Sequence, residues 1–307
     1  MLLRVRSEAS ADNIGLIAAG MAFYAMLSLA PALAVVISVI GLLVSPDQLE
    51  TQMLLLSSYL PVEAEALVEG QLKELIGNRS PQLNWGIAAS VAISLWGSSR
   101  AMKALFGGLN AVYDEVESRP WWLLALQSLL FTLAGILLLV ATLGTMAILP
   151  LVLNWLPVSD FRAGLIRITS GVVVSIVVLC ALAVLYRFGP ARARPQWRWV
   201  TVGALVAWLV WVLASAGFSW YVSNFDSYQR TYGALGAVAI LLMWFFVSAY
   251  AVLIGGELNA ELEHQTGEDS TVGDDRPLGQ RGAVVADRVG PIPTWRRGTT
   301  PAVLPPS

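Results

Sequence analysis

GALGAVAILLMWFFVSAYAVLIGGE, residues 233–257, decides the fold class. No charged residue interrupts the 26 positions between Arg230 and Glu257. A helix needs about 20 mostly apolar residues to cross a bilayer core. The run is continuous rather than alternating, so it reads as a spanning helix and not as a barrel strand. Five more uncharged gaps lie upstream: 34 residues after Asp12, 20 after Arg79, 40 after Arg119, 19 after Arg167 and 27 after Arg198. Pro150 and Pro157 are expected to end the 40-residue gap's helix after about 30 residues, leaving too little for a second span. The expected fold is all-α: a polytopic membrane protein with six transmembrane helices, at about 18–44, 83–106, 121–149, 167–188, 198–222 and 233–257.

Composition agrees. Of the 307 residues, 56% are hydrophobic and only 13% charged, about half the charge usual in a soluble domain. Mean hydropathy is +0.66. The formal net charge of −2 attracts no nucleic acid. One cysteine, Cys180, excludes a disulfide within a chain, and one histidine, His264, leaves little for a metal site or a hydrolase triad. The first apolar run is too long for a signal-peptide core, so no cleavage is expected, and no lipidation motif stands out.

Six spans place both termini on one side. That side carries nine basic residues, among them Arg187, Arg192, Arg194 and Arg198, against five on the other. The richer side faces the cytoplasm by the positive-inside rule. Trp121, Trp122, Trp155, Trp197 and Trp199 sit at span ends, as interfacial anchors do. The first outer loop, about 45–82, contains VEAEALVEGQLKELIGN, with Val68, Leu72, Leu75 and Ile76 at helical spacing. It reads as an amphipathic helical hairpin, either a packing cap or a lid. The first domain is thus 1–264. The tail, 265–307, holds five acidic and five basic residues among Gly and Pro, and is expected to be disordered.

FGGLNAVYDEVE (106–117) echoes IGGELNAELE (254–263). Gly107-Gly108 and Trp96 align with Gly255-Gly256 and Trp244 at one offset, and Asn110-Ala111 with Asn259-Ala260 after one insertion. A parallel repeat and chance both fit.

Polar residues within spans are functional candidates by default. Glu257, Asn259 and Glu261 cluster at the last helix's end, and Glu257 and Glu261, four apart, share a face suited to a cation or a proton. Arg230, beside Tyr228 in NFDSYQRTYGALG (224–236), could meet a phosphate or carboxylate, or simply pair with Asp226. The first span holds Tyr24 and Ser28, and Pro31 should kink it. Ser90, Ser94 and Ser98 form a stripe on the second span, read either as packing or as a wetted path. No Walker loop, zinc motif or nucleophile elbow is present, so no enzyme, catalytic residue, metal or cofactor is expected. The expected partners are membrane lipids and a small-molecule or lipid substrate. Gly233 and Gly236 permit close packing, within one chain or in a homo-oligomer.

MAFYAMLSLAPALAVV (21–36), SLWGSSRAMKALFGGLNAVYD (94–114), LYRFGPARARPQWRWVTVGALVAWLVW (185–211), SYQRTYGALGAVAILLMWFF (227–246) and GGELNAELE (255–263) resemble the YihY/BrkB family of bacterial inner-membrane proteins. The resemblance covers about 10–264 and implies six transmembrane helices and an inner-membrane location. Family labels include ribonuclease BN, a virulence factor of serum resistance and a transporter. The ribonuclease label fits poorly, because the chain offers no basic RNA-binding surface. The residues favour a transporter or flippase-like protein for a small amphipathic, anionic or lipidic substrate, without nucleotide hydrolysis. The alternatives are a membrane scaffold or envelope-integrity factor and, behind it, a membrane-embedded enzyme.

Overall fold

The computed structural model describes residues 2–43, 85–155, 160–223, 234–266 and 268–289. The described elements are all helical: α1 (Leu2–Ala11), α2 (Ile14–Leu43), α3 (Trp85–Val112), α4 (Trp121–Trp155), α5 (Asp160–Phe188), α6 (Trp197–Ser223), α7 (Ala234–His264) and the single turn α8 (Val284–Asp287). Five segments are long and apolar enough to span a membrane: Ile14–Leu33, Trp121–Thr142, Ile168–Phe188, Trp197–Tyr221 and Val238–His264. α3 matches the remaining expected span in position. Its Trp, Gly and Ser residues and Arg100 dilute its hydropathy, yet its 28 residues reach about 42 Å. The hairpin expected at 45–82 lies outside the described residues.

The helices overrun the expected spans. Charges mark where a helix leaves hydrocarbon, not where its hydrogen bonding stops. α7 therefore continues through Glu257, Glu261 and Glu263 to His264, and α5 starts before Arg167. α4 also passes Pro150, the expected break, to reach Trp155. Neighbouring helices can satisfy the carbonyl that an intramembrane proline frees. α2 likewise continues through Pro31, whose ring faces Gly97 of α3.

Turn chemistry is explicit where helices end in water. Asp114 adopts φ 55° just after α3. The Glu115 amide donates to Asn110 O at 2.8 Å and the Asp114 amide to Ala111 O at 3.0 Å, a Schellman closure. Asn13, at φ 52°, makes the corner between α1 and α2. Asp and Asn are the side-chain-bearing residues that best tolerate this left-handed conformation.

Two apolar cores organise this polar end of the bundle. One joins Ala9, Ile14, Ala18, Met21, Val112, Tyr113 and Leu253 across α1, α2, α3 and α7. The other joins Phe106, Leu109, Leu185, Tyr186, Val200, Ala204 and Ala207 across α3, α5 and α6. The outward faces of α4, α5 and α6 stay apolar and exposed, as in Leu130, Val172 and Leu213. That is the pattern of helices solvated by lipid.

The tail departs from expectation. Composition predicts disorder over 265–307, but residues 268–289 pack against the polar end, with Ser270, Thr271, Arg281, Val285 and Ala286 buried. Fixed polar contacts do what an apolar core could not. Arg281 Nη1 donates to Glu268 O at 3.0 Å and Ala286 O at 2.8 Å, and Arg281 Nε to Arg276 O at 3.0 Å. The Val272 amide donates to Arg194 O, and the Ala193 amide to Gly282 O, both at 2.9 Å. Residues 290–307 lie outside the described residues.

Asp269 fixes the first turn of this segment. Its carboxylate accepts from the Thr271 amide at 2.9 Å, the Thr271 hydroxyl at 2.7 Å and the Arg276 amide at 2.8 Å. Desolvation pulls its pKa up, but these hydrogen bonds and the Arg281 charge outweigh it and hold the group below the ordinary aspartate value. A lowered folded-state pKa stabilises above the unfolded value and is lost as pH falls through the folded one. Amides of 268–289 should therefore be protected from hydrogen exchange near about pH 6 and lose protection below about pH 4. Protection unchanged by acid would contradict this role for Asp269.

Candidate functional site

Four of the candidate polar residues, Asn110, Glu257, Asn259 and Glu261, converge on one end of the bundle. Four segments build it: the α1–α2 corner, the end of α3, the α5–α6 connector and the last two turns of α7.

The two echo asparagines perform parallel tasks. Asn110 accepts from the Ala191 amide at 2.7 Å and donates to Glu117 Oε2 at 2.9 Å. Asn259, fully buried, accepts from the Gly203 amide at 2.7 Å and donates to Val200 O at 3.4 Å. One motif thus fastens the connector after α5, and the other the first turns of α6. A buried asparagine needs such partners, since an unmade bond costs about 1–3 kcal/mol. Glu117 in turn grips Arg119, accepting from Nε and Nη2 at 2.7 Å each. The hydrogen bond from Arg119 is the main reason its carboxyl sits below the ordinary glutamate value.

Arg192 and Glu263 form an ion pair at 2.6 Å with both side chains wholly buried. Ser270 donates to the same Glu263 Oε2 at 2.7 Å, and the Arg192 guanidinium lies 4.8 Å from the Tyr113 ring centre. This cluster ties the connector, α7 and the tail segment together. Nearby, Tyr186 donates to Val252 O at 2.7 Å. Two glycines, Gly203 and Gly255, let α6 and α7 cross almost backbone to backbone.

Glu257 and Glu261 share a helix face but have different neighbours. Glu261 accepts from Gln265 at 2.9 Å and lies 4.0 Å from His264 Nδ1. Glu257 is 2% exposed, and its Oε1 has no hydrogen-bond donor among the described residues. Its side chain meets Asp12 at the α1–α2 corner. Desolvation raises the Asp12 pKa above the ordinary value, in part offset by the contact with Glu257.

The other candidates are dispersed. Ser28 donates to Gly97 O at 3.4 Å across the α2–α3 contact. Ser98 and Ser99 donate back to Leu95 O and Trp96 O of their own helix, at 3.0 and 2.7 Å. Ser94 is half-buried, and the Ser90 side chain is outside the described residues. Tyr24 faces outward, edge-on to Phe23. Tyr228 and Arg230 lie outside the described residues. Among the described residues no group of three or more His, Cys, Asp or Glu is placed to hold a metal.

A second feature lies away from this end. α4 and α5 diverge to leave a groove of about 500 Å³, lined by Leu138, Ile166, Val173 and Val177, with Thr142, Thr169 and Ser170 as its polar members. Ile166, Val173 and Val177 are themselves exposed, so the groove opens sideways. Reading the sequence missed this groove, along with Asp12, Arg192 and Glu263. Asp12 and Arg192 had registered only as span boundaries and topology charges. Glu263 lay outside the Glu257–Glu261 pair that helical spacing selects.

The family model described as Virulence factor BrkB matches residues 5–278. The chain is 30% identical to the ribonuclease-like protein YfkH of Bacillus subtilis over 253 residues, 80% of this chain and 88% of that protein. It is 30% identical over 264 residues to a UPF0761 membrane protein of Alteromonas mediterranea, 82% of this chain and 83% of that one. A UPF0761 membrane protein of Pseudoalteromonas atlantica is 28% identical over 261 residues, 82% of each chain. No solved structure matches.

Proposed function

The chain is a membrane protein of the virulence factor BrkB family, and on that premise we propose that it carries a small amphipathic, anionic or lipidic substrate within a bacterial inner membrane. No nucleotide is hydrolysed, and the protein is not an enzyme. In this reading α3 is the sixth span, both termini are cytoplasmic, and the polar end faces the cytoplasm.

The observation that supports it best is the sideways groove between α4 and α5. Branched apolar side chains suit an acyl chain, and Thr142, Thr169 and Ser170 make one part of the lining polar, with the Thr142 hydroxyl donating to Leu138 O at 2.8 Å. A substrate entering from the bilayer meets no aqueous barrier on this route. Arg230 and Tyr228, which precede α7 in the sequence, would meet an anionic group.

Native mass spectrometry of the purified protein tests this reading. A retained lipid or small anion is expected, and Val173→Trp, which fills the groove, should weaken retention about tenfold, equivalent to 1.4 kcal/mol. No bound mass in the wild type, or retention untouched by Val173→Trp, would oppose it. The scaffold alternative has its own observation, the ordered segment 268–289 on the polar end. Deleting 268–307 separates the two: a scaffold acting through the tail loses its partner, while a carrier keeps its ligand.

A further inference from the structure

We propose that Asp12 and Glu257 form a proton-binding site, in which the two carboxyl groups share one proton across the joint between the α1–α2 corner and α7. The inference stands apart from transport and holds whether or not a substrate moves.

Glu257 is 2% exposed, and Oε1 finds no donor among the described residues. Its side-chain neighbour is another carboxyl, that of Asp12. Ionised carboxylates are acceptors only. Glu257 is buried and Asp12 half-buried, and two ionised carboxylates in contact there repel each other, and neither can satisfy the other. One bound proton changes both facts: it removes one negative charge and supplies the missing donor. The pair then carries a single charge and one strong O–H···O hydrogen bond.

The surroundings favour that proton. Glu8 of α1 and Asp114 of the turn after α3 add negative charge at the pair. On α7 itself, Glu261 and His264 lie one and two turns further on and are engaged with Gln265 and each other. Arg4 and Arg6 complete the charged groups of α1, and Arg6 is exposed. The partners sit on elements that must dock to meet. α1 reaches α7 through an apolar core that includes Ala9 and Ala260. Losing the proton therefore opposes the docking of the α1–α2 corner on α7. This is a cytoplasmic-side pH response if the topology proposed above holds.

The chemistry makes amide substitution informative. In Glu257→Gln or Asp12→Asn the amide supplies a permanent donor to the remaining carboxylate, so the joint forms without a proton and both variants should fold. Infrared spectra of the full-length protein near about pH 7 should contain the C=O stretch of a protonated carboxyl, since an ordinary aspartate or glutamate is ionised there. Either amide variant should lose the band, and Glu261→Gln should keep it. Thermal stability gives a second readout. Wild-type stability should fall as pH rises through the titration of the pair, and both amide variants should lack that slope. A wild type with no protonated-carboxyl band, or a band and slope that survive in both amide variants, would overturn the proposal.

Discussion

Gly255→Ala is expected to prevent α6 and α7 from packing, leaving little or no monodisperse protein. A Cβ at Gly255 would lie 2.5 Å from Gly203 O and 2.6 Å from Ala207 Cβ, and against the Tyr186 hydroxyl. Two of these obstacles are backbone or backbone-fixed, so they cannot rotate away. Overpacking a well-filled interface costs about 1–3 kcal/mol, and a clash with rigid backbone belongs at or beyond the upper end. Gly203→Ala should match it, because its Cβ would meet Gly255 O and the Asn259 side-chain amide. The internal control is Gly107, the echo partner of Gly255, which has nothing within 4 Å of an added Cβ. Gly107→Ala should leave the protein unchanged or slightly stabilised, as a helix gains about 1 kcal/mol from glycine to alanine. Fluorescence-detected size exclusion after a heating series reads all three. Equal behaviour of Gly107→Ala and Gly255→Ala would mean that the crossing is looser than it stands here.

Glu263→Gln is expected to have the next largest effect. It leaves Arg192 wholly buried without its paired carboxylate, which costs about 3–5 kcal/mol. Arg192 Nη1 already lacks a hydrogen-bond partner among the described residues, so no spare acceptor is at hand. The same change weakens the Ser270 contact, so residues 268–289 should become protease-sensitive at temperatures where wild type resists. Replacing both partners with apolar residues of similar size, Arg192→Met with Glu263→Leu, should recover much of the loss, because the desolvation cost disappears with the charges. A double variant as unstable as Glu263→Gln alone would show that the individual bonds of Arg192 and Glu263, not charge balance, hold this end together.

What the sequence exposed follows from scale. Uncharged gaps of 19–40 residues are unmistakable, so the described spans lie where the gaps put them. Helix ends were not legible in the same way. Glu257 stops a hydropathy run but not a hydrogen-bond ladder, and α7 goes on to His264. The tail shows the converse failure. Its Gly-, Pro- and Asp-rich composition cannot build a core, yet Asp269 and Arg281 cap enough backbone groups to fix 268–289. Composition counts residues and is blind to such pairings. The echo of Asn110 and Asn259 was visible as letters. Their shared task, fastening α6 and the connector before it, needed the helices in place. Asp12 is the clearest case, because nothing along the chain connects it to a residue 245 positions away, and only the corner at Asn13 does so.

The central claim, that an amphipathic molecule moves by way of this bundle, is tested most directly by reconstitution. Proteoliposomes would carry a headgroup-labelled anionic phospholipid, and an impermeant quencher would report how fast the label crosses. The account predicts crossing well above that of empty liposomes, cut about tenfold or more by Val173→Trp in the α4–α5 groove. Crossing no faster than in empty liposomes, from protein shown to be folded and inserted, would contradict it.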